Sequence, residues 1–454
     1  MWPLEYILVM FKKKDFPHIV FLVFLLLLNA CTTDTNSPAD KVAPTLMSST
    51  PSNGATSIGV NTVITLQFTE QIILTSNPQI KLNNTIVTAV LSHRSLTITT
   101  TLQPNTTYTL VVPNTAVSDV AGNFAKEITI TFSTVTITPF DISPNLVTPN
   151  PSVQVVNLFN FLKQNFGTKV ISGTMANYST NITEATWVHD KTGKWPAMTS
   201  FDFIDHTNQN QNWINYTAPF TLGQDWWNNN GIVGLMWHWR DPLTKSGAFY
   251  TADTSFDVSK ISDSTSVEYK AMIADIDLIS GYLKQFKDAG IPVIWRPLHE
   301  ASGGWFWWGA KGPAACKALW KVMFDRMVNY HGLNNMIWVW TSDVASNAAS
   351  WYPGDAYVDV IGMDIYPGNN QHGSQYIAFN KVKDIFGGKK LITLSECGSV
   401  PDPALMKEFG DTWSWFMPWN GDYTESDTHN GATWWKKFFS YDFVITRDKM
   451  PSLK

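Results

Sequence analysis

The sequence predicts a multidomain chain, an antiparallel β-sandwich followed by a (β/α)8 TIM barrel. Three observations carry this. At 454 residues the chain exceeds the usual size of one domain. Residues 43–135 hold short alternating runs cut by turn clusters. From about residue 152, apolar strand-like runs alternate with amphipathic helical stretches.

The N-terminus reads as an export segment. Lys12, Lys13 and Lys14 precede an apolar run over 19–28. That run is too short for a spanning helix of roughly 20 residues. It ends in Leu28-Asn29-Ala30-Cys31 and a polar stretch, an order that resembles a bacterial lipobox. The resemblance implies a signal peptide over 1–31, lipidation of Cys31 and an exported lipoprotein on the outer membrane. Acyl chains would then be the sole membrane attachment. Met10 is an alternative start, and a cleaved signal with an incidental cysteine is the alternative reading. Residues 32–42 are polar and small and read as a flexible spacer.

In 43–135 the runs VITLQF (63–68), LTIT (96–99) and YTLVV (108–112) alternate apolar and polar residues. Turn clusters at 51–54, 104–105 and 122–123 separate them. The opening APTLMSSTPSNGATSIGVNTVITLQFTEQI resembles a bacterial Ig-like module. No catalytic set is visible in it, so a spacer role is expected, with adhesion as the alternative. Pro139, Pro144, Pro149 and Pro151 mark 136–151 as a linker or lead-in.

The barrel is expected over 152–454. Its strands are expected at 169–173, 197–203, 231–239, 292–300, 335–341, 358–366, 390–397 and 413–419. They are nearly continuous in apolar residues, as strands covered on both faces are. Between the third and fourth, Ile273, Ile276, Leu278, Ile279, Tyr282, Leu283 and Phe286 recur at helical spacing before Gly290. Between the fourth and fifth, Ala318, Leu319, Val322, Met323 and Met327 do the same before Gly332.

Barrel enzymes carry their chemistry at C-terminal strand ends. Glu300 falls at the end of the fourth strand and Glu396 at the end of the seventh. Two facing carboxylates beside aromatic rings are what glycosidic bond hydrolysis needs. Indoles offer a flat apolar face to a pyranose. Of the 21 tryptophans, 12 cluster at 226–227, 237–239, 305–308, 338–340 and 413–419. Only 15% of residues are charged, against roughly 25% in average domains, and the net charge is -5. No basic patch suggests nucleic acid. No Cys/His spacing suggests zinc, and Cys316 and Cys397 are expected to be separate buried thiols.

Several motifs are specific enough to suggest a family. Arg296-Pro-Leu-His299-Glu300 is followed by Gly304-Trp305-Phe-Trp-Trp-Gly309. Asp364-Ile-Tyr366-Pro367, Ser395-Glu396-Cys-Gly398 and Gly234-Leu-Met-Trp-His238-Trp239 complete the set. Residues 152–445 thereby resemble glycoside hydrolase family 26, best known for β-mannanases that retain configuration. The resemblance implies Glu300 as general acid/base and Glu396 as nucleophile. It implies His238 and His299 as sugar contacts and Trp305 as a stacking floor; Tyr366, Trp419 and Asp202, at strand ends, are further substrate-binding candidates, with Arg296 and Asp364 in support. No metal or organic cofactor is implied. A monomer acting on mannan, glucomannan or galactomannan is expected.

Ala301-Ser302 stand where many members carry Met-Asn, and Asn420 stands where some carry an arginine that grips distal sugars. Exo release of mannobiose and hydrolysis of mixed-linkage β-glucan are alternative activities. A glycan-capture lipoprotein without hydrolysis is the alternative of another class; such a binder has no need for two opposed carboxylates.

Overall fold

The computed structural model describes residues 40–454, apart from 61, 136–139, 178–179, 209–210, 246–247 and 343–346. The export segment with Cys31, most of the spacer and Pro139 lie outside the described residues.

Alternation of apolar and polar residues builds the N-terminal sandwich. Ile64, Leu66 and Phe68 point inward from Ile64–Phe68, as Leu96 and Ile98 do from Ser95–Ile98. These strands sit centrally in a four-stranded sheet flanked by Leu46–Thr50 and Val90–Ser92. A five-stranded sheet runs Ala55–Ile58, Ile128–Thr134, Thr107–Val112, Lys81–Leu82, Thr85–Ile86. Tyr108, Leu110, Val112, Ile130 and Phe132 bury its inner face. The sandwich expected from the alternation is present.

The C-terminal unit is a closed parallel barrel. Its strands are β1 Val170–Met175, β2 Met198–Asp202, β3 Ile232–Trp237, β4 Val293–Pro297, β5 Met336–Ser342, β6 Val360–Ile365, β7 Leu391–Cys397 and β8 Trp415–Pro418. They pair in sequence order, and β1 pairs with both β2 and β8, which closes the ring. A short β9, Val444–Ile445, also pairs with β1.

Helices α1 Val153–Asn165, α2 Thr183–Thr192, α3 Ala218–Asn228, α4 Val267–Asp288 and α5 Gly312–Phe324 are followed by α6 Ala348–Trp351, α7 Tyr376–Ile385, α8 Pro403–Phe409, α9 Asp422–Glu425 and α10 Ala432–Ser440. The helical spacing from Ile273 to Phe286 lies within α4. Ser266 caps it by accepting from the Tyr269 N–H, and Gly290 ends it at φ 67°.

Residues 140–151 lie against this barrel. The Asp141 and Ser143 amides donate to the carbonyls of Gly388 and Lys389, and Asp359 accepts from the Val147 N–H at 2.8 Å. The other Asp359 oxygen accepts from the Trp338 N–H in β5. Burial pushes this carboxyl up to about 6, against those two donated bonds.

Most of the clustered tryptophans prove to be core. Trp226, Trp237, Trp239, Trp307, Trp308, Trp338, Trp413 and Trp415 are almost fully buried. Their clustering reflects strands covered on both faces, with indoles filling the space between barrel and helices. Trp305, at 48% exposure, and the partly buried Trp419 remain at the mouth. Cys316 and Cys397 are buried, free thiols.

Candidate active site

The site begins with Arg296 on β4. Its side chain enters the barrel and is 4% exposed. Nη1 donates to Asp364 on β6 at 2.8 Å, and Nη2 donates to Glu396 on β7 at 2.5 Å. One guanidinium therefore neutralises two buried carboxylates through charge-assisted bonds. Burial alone would lower the Arg296 pKa, but Asp364 and then Glu396 reverse this and raise it. Burial also pushes the Asp364 carboxyl well up, and Arg296 opposes this. Ser395 completes the cluster by donating to Asp364 Oδ1 at 2.7 Å.

A local irregularity in β7 makes this possible. Met363 pairs with Leu394 but Asp364 pairs with Glu396, so Ser395 is an extra residue against β6. The register against β8 shifts at the same place. In a regular strand adjacent side chains face opposite ways. The bulge turns both Ser395 and Glu396 inward, as bulges beside active sites do. Gly362 on β6 leaves room for it, since a Cβ there would lie 2.4 Å from Ser395 Oγ.

Glu396 accepts from Arg296 on one oxygen and from the Tyr366 hydroxyl on the other. Both donors hold the carboxylate oxygens in place. Tyr366, beyond the end of β6, is 42% exposed and its ring lies 5.2 Å from that of Tyr423.

Glu300 sits three residues past the end of β4. The strand expected to run to 300 ends at Pro297 because Leu298 and Glu300 both turn to φ 51°. Left-handed backbone at non-glycine residues is costly and clusters at functional sites. Trp305 Nε1 donates to Glu300 Oε2 at 3.0 Å. The indole folds back over Gly303, where a Cβ would lie 2.0 Å from the ring. One carboxylate oxygen each from Glu300, Asp364 and Glu396 lies within 4.8 Å of the others. Carboxyl groups about 5–5.5 Å apart characterise retaining glycosidases, whereas inverting ones leave a wider gap for water. Burial, then the like charge of Glu396, raises the Glu300 pKa, and Arg296 opposes them. The three carboxylates are close enough to share a cation, but Arg296 already bonds two of them.

The remaining candidates separate into two sets. Trp305 and Tyr366 face the mouth, with Trp419 partly buried beside His238, ring centres 5.8 Å apart. Asp202, His238 and His299 form a buried chain. Asp202 accepts from the His238 N–H at 2.9 Å and from Nδ1 at 2.5 Å. Burial raises the Asp202 carboxyl, but His238 outweighs this and the net shift is downward. His238 Nε2 lies 3.1 Å from His299 Nε2. Burial, then His238 and Arg296, hold His299 well below the usual imidazole range, so it is neutral. Its Nδ1 is buried with no hydrogen-bond partner among the described residues. The single proton therefore belongs on Nε2, donated to His238. Asp202 thus orients the imidazole, and both His238 nitrogens are spent inside the protein.

Sequence reasoning missed Phe249, Tyr250 and Phe306. Phe249 and Phe306 flank His238 with ring centres at 5.1 and 5.5 Å, and Tyr250 stacks on Phe306. They come from irregular loops after β3 and β4, where no periodicity marks them.

Two facing carboxylates of different protonation demand, set at the mouth of a closed (β/α)8 barrel, place the chain among the barrel glycoside hydrolases. Residues 147–449 match the model of glycosyl hydrolase family 26, and the chain belongs to that family. Residues 40–134 match the model of a bacterial Ig-like domain.

A mannan endo-1,4-beta-mannosidase A of Piromyces sp is 37% identical over 320 residues, covering 68% of this chain and 51% of that protein. The chain thus spans about half the length of this curated relative. A β-mannanase from a symbiotic protist of the termite Reticulitermes speratus, solved with gluco-manno-oligosaccharide, is 41% identical with a TM-score of 0.65. It covers 69% of this chain and 99% of its own. The GH26-CBM35 β-(1,4)-mannanase of Podospora anserina is 28% identical with a TM-score of 0.67, covering 91% and 98%.

Proposed function

We propose that this chain hydrolyses β-1,4-mannosidic bonds within mannan, glucomannan or galactomannan, with retention of configuration. The observation that carries the reading is the carboxylate pair, Glu300 and Glu396, with one oxygen of each within 4.8 Å of the other and unlike partners. That the relatives above are mannanases supports the substrate class.

The steps follow from the geometry. Glu396 attacks the anomeric carbon as Glu300 gives its proton to the leaving oxygen, and the glycosidic C–O bond breaks. The sugar is then an ester of Glu396, and the negative charge that raised Glu300 is gone. Glu300, now a carboxylate, takes a proton from water as that water attacks the same carbon and frees Glu396. Trp305, bonded to Glu300, presents an exposed indole to the pyranose.

The test is product analysis on galactomannan, mannohexaose and lichenan. Mixed internal cleavage products from mannohexaose are expected, with the β-anomer formed first by NMR. Mannobiose as sole early product would replace endo with exo action. Faster turnover of lichenan would replace mannan with glucan. Binding without turnover of any of them would leave a capture protein.

We propose in addition that Cys31 is lipidated and tethers an exported protein to the outer membrane. The order of basic segment, short apolar run and Ala30-Cys31 supports this. Expressed in a bacterium with labelled palmitate, the chain should incorporate label into the membrane fraction, and Cys31→Ser should not. Equal labelling of both would end this proposal.

A further inference from the structure

The loop after β3 is bonded to the loop after β4, and the bonds end on the residue that holds Glu300. Thr251 is the junction. Its N–H donates to the Trp305 carbonyl at 2.6 Å, and its hydroxyl donates to the Gly304 carbonyl at 2.8 Å. The Trp307 N–H donates back to the Phe249 carbonyl at 3.1 Å. Between these bonds Tyr250 and Phe306 pair as an antiparallel bridge, and their rings stack with centres 5.5 Å apart. Residues 249–251 and 304–307 thus form a short ladder of their own.

The β3 side of this ladder is firmly held. Asp241 is buried and accepts from the amides of Leu243 and Thr244 and from the Thr254 hydroxyl. Its own N–H donates to the Ala248 carbonyl at 2.8 Å. One residue therefore closes the loop on both sides of Tyr250. Lys245 pairs with Asp275 of α4, and the Trp239 indole donates to the same carboxylate at 2.9 Å.

The β4 side is looser. Gly304 turns to φ 70°, and the Trp305 ring is half-exposed, with Phe306 edge-on at 6.3 Å. Yet Trp305 Nε1 must stay aimed at Glu300 Oε2. A hydrogen bond weakens steeply when its donor swings out of line. Thr251 occupies the carbonyls of both Gly304 and Trp305, so it passes the order of the β3 loop to the indole.

Resting on the hydrolase reading above, we propose that Thr251 is a positioning residue for the acid/base, keeping the Trp305 indole N–H on Glu300 through Gly304 and Trp305. Donation to the ionised form favours it, so the Trp305 bond holds the raised Glu300 carboxyl below where burial and Glu396 would put it. The titratable and charged groups facing Glu300 are Glu396 on β7, Asp364 on β6, Arg296 on β4 and His238 after β3. A substitution at Thr251 replaces none of them.

The test compares Thr251→Val, which removes the hydroxyl but keeps the shape and the amide, with Thr251→Ser, which keeps both donors. In protein carrying isotope-labelled tryptophan, the Trp305 indole NMR signal is assigned by its loss in Trp305→Phe. Its pH titration reads Glu300 with no sugar present. Thr251→Val should raise the midpoint by about half a pH unit. It should lower kcat on mannohexaose about tenfold with KM little changed. The alkaline limb of activity should move up with the midpoint. Thr251→Ser should keep the wild-type midpoint. Adding Thr251→Val to Trp305→Phe should move that limb no further than Trp305→Phe alone. A wild-type signal that does not titrate, an unmoved midpoint in Thr251→Val, an equal shift in Thr251→Ser, or a full further shift in the double variant would overturn the proposal. Wild type that releases no sugar from mannan, while Thr251→Val still displaces the midpoint, would defeat the hydrolase reading and leave the positioning role standing.

Discussion

Glu396→Ala is expected to lower turnover of mannan on the order of 10⁴-fold or more, because it deletes a bond-forming partner rather than a contact. Glu300→Gln should lower it by about 10²–10⁴-fold, the usual contribution of a general acid. An aryl mannoside with a good leaving group separates the two roles. Its departure needs no proton, so Glu300→Gln should still form the glycosyl-enzyme and show a burst of phenol release, then stall. Glu396→Ala should show no burst.

The pH dependence separates them again. Burial and the charge of Glu396 raise the Glu300 pKa, so its protonated, active form persists above the ordinary glutamate range. Activity should fall as pH rises through that raised value. This alkaline limb should vanish in Glu300→Gln. A burst in Glu396→Ala, or an unchanged alkaline limb in Glu300→Gln, would place the roles on other groups.

Arg296→Met is expected to destabilise the barrel by about 3–5 kcal/mol, since it strands Asp364 and Glu396 as buried, uncompensated charges. For a unit of this size that is a fall in Tm on the order of 10 °C. The sign of its pH dependence is fixed. Without Arg296 the Asp364 carboxyl loses the charge that opposes its burial and should titrate higher still, so the deficit should be largest at high pH. It should shrink as pH falls and protonation removes the stranded charges. Differential scanning calorimetry of wild type and variant at two pH values reads both effects. Arg296→Lys should recover only part, because one ammonium cannot fork to two carboxylates as a guanidinium does. A Tm independent of this substitution would mean that the charge cluster does not hold the strands together.

Particular elements show what was legible. The long helix α4 was readable because a 3.6-residue apolar stripe and Gly290 agree, and the cap at Ser266 came from the structure. The barrel strands were readable as apolar runs, but their ends were not. The run at 292–300 stays apolar past Pro297, and only the positive φ of Leu298 and Glu300 ends the ladder. The tryptophan clusters suited either core packing or a sugar-stacking surface, and most of those indoles fill the core. An indole is apolar in either place, and nothing local tells which side faces water. His299 and Asp202 stood in the motifs, but their hydrogen bonds to His238 were not visible there. Whether a ring nitrogen meets a sugar or a neighbour depends on residues 36 and 61 positions apart in the chain.

By itself, then, the amino-acid order determined two folding units, the strand and helix rhythm of the second, and which two glutamates end facing strands. These are properties of period and residue type, which act over a few neighbours. The three-dimensional packing alone decided that Ser395 bulges to aim Glu396 inward and that one arginine bridges β6 and β7. It also decided which indoles meet solvent. Such outcomes depend on distances between strands far apart in sequence, and a linear pattern carries no record of those distances.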